Sequence, residues 1–328
     1  MGGGLQAAVQ RRGGVTRLRA LSARQNPDVG LRVTIGTDER PDLWQYHLSF
    51  GQDGKLPPQV KREAVLHDGI KLFERPDLDD RTDPERLSQT YLEQVNVNRQ
   101  FRDLATFLES VRYLHLVPQL VREPDRSVGR TEDPYGGDFL EQVASTSTKT
   151  REARLRRIVR ALRIAVPQLS ELKLDRDVKG TPHVIGKYEH WRPQGAWQNE
   201  TQFSDGTLRL MGLLWALLDG DGPLLLEEPE LSLHEDVVRQ VPAMLAKLQR
   251  RSARQVMVST HSSALLRDPG VGIDEVLILR PEQGGTSVTP AAEFAQIEQL
   301  LAGGVSMAEA VIPYTRPKGT EQLPLFAE

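Results

Sequence analysis

The chain has 328 residues and carries 42 Lys and Arg against 45 Asp and Glu, a net charge of −3. No global basic field therefore points to a nucleic-acid partner, and the length accommodates one large domain or two modest ones. Cysteine is absent, which excludes disulfides and thiolate metal sites, and the longest apolar stretches, such as 211–218, are too short to cross a bilayer.

In chain order, Arg11 and Arg12 come first with no apolar block behind them, so no signal peptide is read and a soluble, cytoplasmic protein is expected. Strand patterns follow over 31–37, 43–50, 60–67 and 70–73, separated by Gly51-Gln52-Asp53-Gly54 and by Asp68-Gly69. Asp-Gly between two apolar runs is a two-residue hairpin signal. Residues 76–84 read as an acidic, proline-containing hinge, with helical patterns over 85–97 and 101–115. Residues 121–138 are polar and rich in Gly and Pro, hence a loop. From Arg151 a helix places Leu155, Ile158, Val159, Leu162 and Val166 on one face, while Arg151, Arg154, Arg157, Arg160 and Arg163 largely take another. A basic stripe of this kind either contacts phosphate backbones or is a solvated helix face, and both readings stay open. There is no long heptad region and no internal repeat.

The chemistry concentrates between Phe203 and Ser262. Ser204-Asp205-Gly206-Thr207 precedes Leu208, Met211, Leu213, Leu214 and Leu217, the pattern of a capped helix. The free N–H groups at such an end can meet an anion. Behind the turn signal 219–222, Leu224-Leu225-Leu226 reads as a buried strand of a parallel sheet, ended by Glu227, Glu228 and Pro229. Ligands of open α/β sheets sit beyond the carboxyl ends of the strands. Cleaving a phosphoanhydride there needs one acid to hold Mg²⁺ and a second to orient the attacking water. Glu227 is assigned to the metal and Glu228 to the water. Residues 255–258 form the next strand, and His261 follows at the same edge, where an imidazole can hydrogen-bond a γ-phosphate. A strand over 275–279 and a short helical tail close the chain.

These segments resemble the ABC-type ATPases of the RecF/SMC branch, most closely the bacterial AAA-family ATPases related to them. The resemblance implies a P-loop α/β fold with a flanking antiparallel β subdomain and a helical insertion. It gives Ser204, Asp205, Gly206 and Thr207 the signature role, completing the partner's site in trans, Leu224–Glu228 the Walker B role, Leu231 and Ser232 the D-loop role and His261 the switch role. ATP and Mg²⁺ are the implied cofactors. A homodimer that closes on ATP and reopens after hydrolysis is the implied assembly, serving DNA maintenance or defence. Arg12-Gly13-Gly14, Asp133-Pro134-Tyr135-Gly136-Gly137-Asp138 and Tyr188-Glu189-His190-Trp191-Arg192-Pro193 extend the likeness across most of the chain. The expected division is 1–75 as the remainder of an N-terminal lobe, 76–170 as a helical insertion, 171–315 as the ATPase core and 316–328 as a flexible tail.

The sequence departs from that pattern at three points. Asp205 stands where the signature usually has Gly, and its charge would repel a phosphate unless it points away. Glu227 replaces the commoner Asp. No Gly-x-x-x-x-Gly-Lys-[Ser/Thr] phosphate loop occurs: Gly54-Lys55 lies in a turn ahead of Leu56, and Gly186-Lys187 lies inside a strand pattern ahead of Tyr188. The opening Met1-Gly2-Gly3-Gly4 resembles the region just after the family's loop, so a start placed too late, or a fragment, is expected. The rival reading is a catalytically silent scaffold, or a module binding DNA or a sliding clamp. Gln322, Leu323, Leu325 and Phe326 resemble the pentapeptide by which bacterial repair proteins dock on the sliding clamp; covering this protein's own core is the other reading of that tail.

Overall fold

The computed structural model describes residues 4–19, 23, 27–54, 56–126, 133–191, 196–282, 284–317, 319, 320 and 322. The fold is mixed α/β, and the chain separates into two compact units: residues 1–109 with 281–286, and residues 110–280 with 287–328.

The first unit opens with α1 (Gly4–Arg11) and α2 (Val15–Leu18). A four-stranded antiparallel meander follows: β1 (Val29–Ile35), β2 (Trp44–Gly51), β3 (Gln59–His67) and β4 (Ile70–Arg75), in that order. The Asp68-Gly69 signal is a true hairpin turn, with both residues at positive φ, 50° and 75°. One face of the sheet buries Tyr46, Leu48, Phe50, Val60 and Val65 with Leu5, Val9, Tyr91, Phe101 and Leu104.

The expected hinge over 76–84 instead contains α3 (Leu78–Thr82), because Asp77 and Asp80 form a reciprocal capping box that nucleates a turn. Asp80 then reaches inward to the buried Arg75, with Nη2–Oδ1 at 2.7 Å and Nε–Oδ2 at 3.0 Å. Glu63 completes the cluster by accepting N–H groups from Tyr91 and Leu92 and the Tyr46 hydroxyl. The helix expected over 85–97 is replaced by a 3₁₀ turn (Pro84–Ser88) and further turns, since Arg75 takes the Arg86 and Gln89 carbonyls that a helix would have used. The second expected helix, 101–115, is α4 (Arg102–Ser110) and stops short.

The second unit begins where that helix ends. It contains β5 (Arg112–Leu114), α5 (Pro118–Val121), α6 (Phe139–Ser145) and α7 (Thr148–Ala165). The antiparallel sheet β6 (Leu169–Arg176), β7 (Pro182–Tyr188) and β8 (Ala196–Asn199) leads to α8 (Asp205–Leu218). Then come β9 (Leu224–Glu227), α9 (Glu235–Val238), α10 (Val241–Ser252) and β10 (Val256–Ser259). A hairpin of β11 (Leu277–Glu282) and β12 (Gly285–Pro290), then α11 (Ala295–Ala302) and α12 (Met307–Thr315), completes it.

The parallel sheet is ordered β10-β9-β5, so β9 is central, as its apolar run requires. Leu224 and Leu226 are buried against α8, whose Leu208, Met211, Leu213 and Trp215 fill the main core. Beyond β9, β10 has an open edge among the described residues, and its Met257 is 52% exposed.

The α7 stripe is largely consumed by the fold. Arg154 pairs with Asp219 at 2.7 Å and lies over the Trp215 ring, Arg151 donates to the Ala144 and Thr146 carbonyls, and Arg163 reaches Glu189 at 3.5 Å. Arg157 and Arg160 stay exposed. No described helix is long and apolar enough to cross a membrane.

Candidate active site at the carboxyl edge of the parallel sheet

Parallel registration places the chemistry. Glu227 lies opposite Ser259, so the ends of β9 and β10 meet side by side. Glu228 then turns out of the strand at φ 43° while its N–H still bonds the Ser259 carbonyl at 2.9 Å. Left-handed backbone is unfavourable for a residue with a Cβ, and such strain collects at functional sites. The turn brings the Glu228 carboxylate to 3.8 Å from His261 Nε2, and the His261 side chain is 93% exposed. Two of the sequence-expected residues are therefore neighbours.

Glu227 is held by groups that sequence reading missed. The Tyr113 hydroxyl donates to its carboxylate, and His115 Nδ1 lies 3.2 Å from its main-chain carbonyl. Both were expected in a helix. Once α4 stops at Ser110, Arg112–Leu114 pairs with Leu224–Leu226, and Tyr113 comes to the Glu227 side of the sheet. The segment Asp133–Asp138 packs beside them, its Pro134 and Tyr135 carbonyls accepting from the His115 and Val117 N–H groups at 2.7 and 2.9 Å. Gly136, at φ 76°, lets that chain approach Leu116.

The start of α8 is built as its capping pattern predicts. Ser204 Oγ accepts the Thr207 N–H at 3.1 Å and shares a 2.8 Å hydrogen bond with the Thr207 hydroxyl. Asp205 is turned to the side: Arg122 Nη2 holds one carboxylate oxygen at 2.6 Å and Gln119 donates to the other at 3.3 Å. Gly206 sits against the next segment, where an added Cβ would come within 2.6 Å of the Ser232 carbonyl. Ser232 itself has φ 62°, and Leu231 is partly exposed beside it. The segments 204–207 and 231–232 thus approach each other closely within one chain.

Glu230, buried at 8% exposure, accepts the Thr260 hydroxyl with one oxygen while its other oxygen finds no partner. Arg209, one turn into α8, has an unpaired buried Nε. Burial lowers its guanidinium from the usual range, against the pull of Asp205, Glu228 and Glu230. Such unpaired buried groups are uncommon in folded proteins.

Among the described residues, no set of three or more His, Asp or Glu side chains is arranged to bind a metal by protein ligands alone. Mg²⁺ characteristically takes one or two carboxylates plus substrate phosphates, and the oxygen donors of Glu227 and Glu228 fit that habit. Of the tail residues, Gln322 is exposed and donates its N–H to Gly319 at 3.0 Å. Leu323, Leu325 and Phe326 lie outside the described residues, as do Met1–Gly3, Lys55, Arg192 and Pro193.

Comparison with known proteins gives the family. Residues 1–267 match the family model described as "AAA domain, putative AbiEii toxin, Type IV TA system". No curated protein matches. Among solved structures, the chain is similar to an SMC head bound to the C-winged helix domain of ScpA, at 11% identity over 86% of this chain and 84% of that one, TM-score 0.40. It is also similar to the SMC head domain from Thermotoga maritima, at 12% identity over 79% and 78%, TM-score 0.35. A nucleotide-free ATP-binding cassette from an ABC transporter is a third, at 9% identity over 74% and 75%, TM-score 0.36. The matched span includes Glu227, Glu228 and His261 with the helix that precedes them, and the chain belongs to this AAA-type ATPase family.

Proposed function

We propose that this protein binds and hydrolyses ATP at the carboxyl edge of the β10-β9-β5 sheet, in a homodimer whose subunits complete each other's sites. The observation that carries this reading is the 3.8 Å approach of His261 to Glu228 at the ends of adjacent parallel strands, with Glu227 one residue away. Glu227, oriented by Tyr113, would hold Mg²⁺, which when bound neutralises charge on the phosphates. Glu228 orients the attacking water and takes its proton as the new P–O bond forms and the bond to the departing ADP breaks. His261, free to swing, hydrogen-bonds the γ-phosphate and relays its loss. Ser204, Gly206 and Thr207, at the start of α8 where N–H groups remain free beyond the Ser204–Thr207 cap, face the nucleotide on the partner subunit, and Arg122 offsets the Asp205 charge beside them.

In this reading the closing and reopening of the dimer is the output, directed at DNA maintenance or defence.

A second reading has a specific observation behind it. The 328 residues contain no Gly-x-x-x-x-Gly-Lys-[Ser/Thr] segment, and among the described residues β10 carries an open edge. Such a chain would act as a scaffold, binding MgATP weakly. The genomic reading frame ahead of Met1 separates the two. An in-frame Gly-x-x-x-x-Gly-Lys-[Ser/Thr] supports the enzyme, and an in-frame stop supports the scaffold.

A further inference from the structure

The antiparallel sheet of the first unit has a second face that the hydrophobic core does not use. Arg32 of β1 stands directly opposite His47 of β2, and Gly30 stands opposite Ser49. Ser49 in turn stands opposite Arg62 of β3. Directly opposed residues share a face, so Arg32, His47, Ser49 and Arg62 rise from the side of the sheet away from Tyr46 and Leu48. They line a concavity of about 420 Å³. Gly30 keeps one side of it open, since an added Cβ there would meet nothing within 4 Å.

Two details distinguish this face from a merely solvated one. His47 Nε2 is buried and makes no hydrogen bond. A ring nitrogen left without a partner is an unmet hydrogen-bonding group in the floor of this concavity. Burial, then Arg32 and Arg62, lower the His47 imidazole from its ordinary range, against the pull of Glu74.

The cations are also available. Arg32 is exposed and has no ion pair among the described residues. Arg62 reaches Glu74 at 2.8 Å, but Lys71 holds the same carboxylate at 2.6 Å. Glu74 therefore remains neutralised when Arg62 turns outward. On the same strand Lys61 occupies Asp53 at 3.0 Å, which removes that acid from competition.

We propose that this face binds a phosphate group, gripped by the Arg32 and Arg62 guanidiniums with the Ser49 hydroxyl as a further donor beside the His47 ring. Planar guanidinium forks suit tetrahedral oxyanions better than an ammonium does. The phosphate can belong to a polynucleotide backbone or to a small phosphate ester. Neither source depends on the ATPase reading, because none of these four residues belongs to the site around Glu228.

The test follows the imidazole resonances of His47, assigned by their loss in His47→Gln, during titration of the whole protein. One arm uses inorganic pyrophosphate and the other a short DNA duplex. Movement at lower concentration with the duplex identifies a polynucleotide site, and movement with pyrophosphate alone identifies a small-phosphate site. Arg32→Ala and Arg62→Ala are each expected to weaken binding roughly tenfold with the melting temperature unchanged. In the duplex arm each should also reduce the slope of log K against log salt by about 1. If neither ligand moves the His47 resonances, or the two Ala variants bind like the parent, the site does not exist.

Discussion

Arg122 Nη2 lies 2.6 Å from the Asp205 carboxylate and donates at the same distance to the Phe203 carbonyl. One side chain thus fixes the loop before α8 and offsets the acid at that helix's first turn. The charge at Asp205, a liability on sequence grounds, is met by a cation that sequence spacing does not reveal. Removing the cation should expose the liability. Arg122→Ala is expected to raise the KM for ATP on the order of fivefold, the scale of a partly exposed ion pair. Arg122→Ala with Asp205→Gly should recover most of that loss. A double variant no better than Arg122→Ala would show that Arg122 acts through Phe203 alone.

Gly206 makes a second prediction. An Ala at the start of a helix would ordinarily stabilise it by up to about 1 kcal/mol. Here the new Cβ would meet the Ser232 carbonyl at 2.6 Å, and a backbone oxygen cannot rotate away. Gly206→Ala should therefore lower the urea-unfolding free energy by roughly 1–3 kcal/mol, the usual range for overpacking. A variant as stable as the parent would mean that the two segments are not in contact in solution.

The parts of this molecule written in local pattern were legible. The hairpin at Asp68-Gly69, the Ser204 cap, the buried strand over Leu224–Leu226 and the turn to His261 all rest on neighbours in sequence, and all four are present. The missed parts depend on partners far along the chain. Tyr113 and His115 sit in a stretch whose apolar spacing suits a helix, and only pairing with a strand more than a hundred residues away makes it β5. Arg122 sits in a polar loop, and nothing local marks it as the partner of Asp205. Asp80 sits in a segment of acids that reads as solvated. Its burial follows from Arg75, which ends a strand beneath it.

That buried cluster sets a pH window. The Asp80 carboxyl is lowered from 3.8 to about 2: burial pushes it up, but the Arg75 guanidinium, the Asp77 N–H and Arg86 pull it further down. A carboxyl more acidic in the folded state stabilises the fold above its unfolded value and loses that contribution as pH falls through its folded value. The loss runs from about pH 4 to about pH 2 and amounts to about 2 kcal/mol. Glu63 works the other way, because burial raises it, so folding gains as that group protonates above its unfolded value. Unfolding free energies measured across this range should fall more steeply for the parent than for Asp80→Asn. Parallel profiles would remove Asp80 from the acid response.

Glu228→Gln tests the central claim most directly. The amide keeps the shape of the carboxylate at the left-handed turn after β9 and loses its charge and basicity. The measurement pairs ATP binding with single-turnover hydrolysis in the full-length protein. ATP binding should persist, with ATP-bound dimers accumulating, while turnover falls about a hundredfold or more. Turnover within about twofold of the parent would contradict the assignment of Glu228 as the residue that activates water.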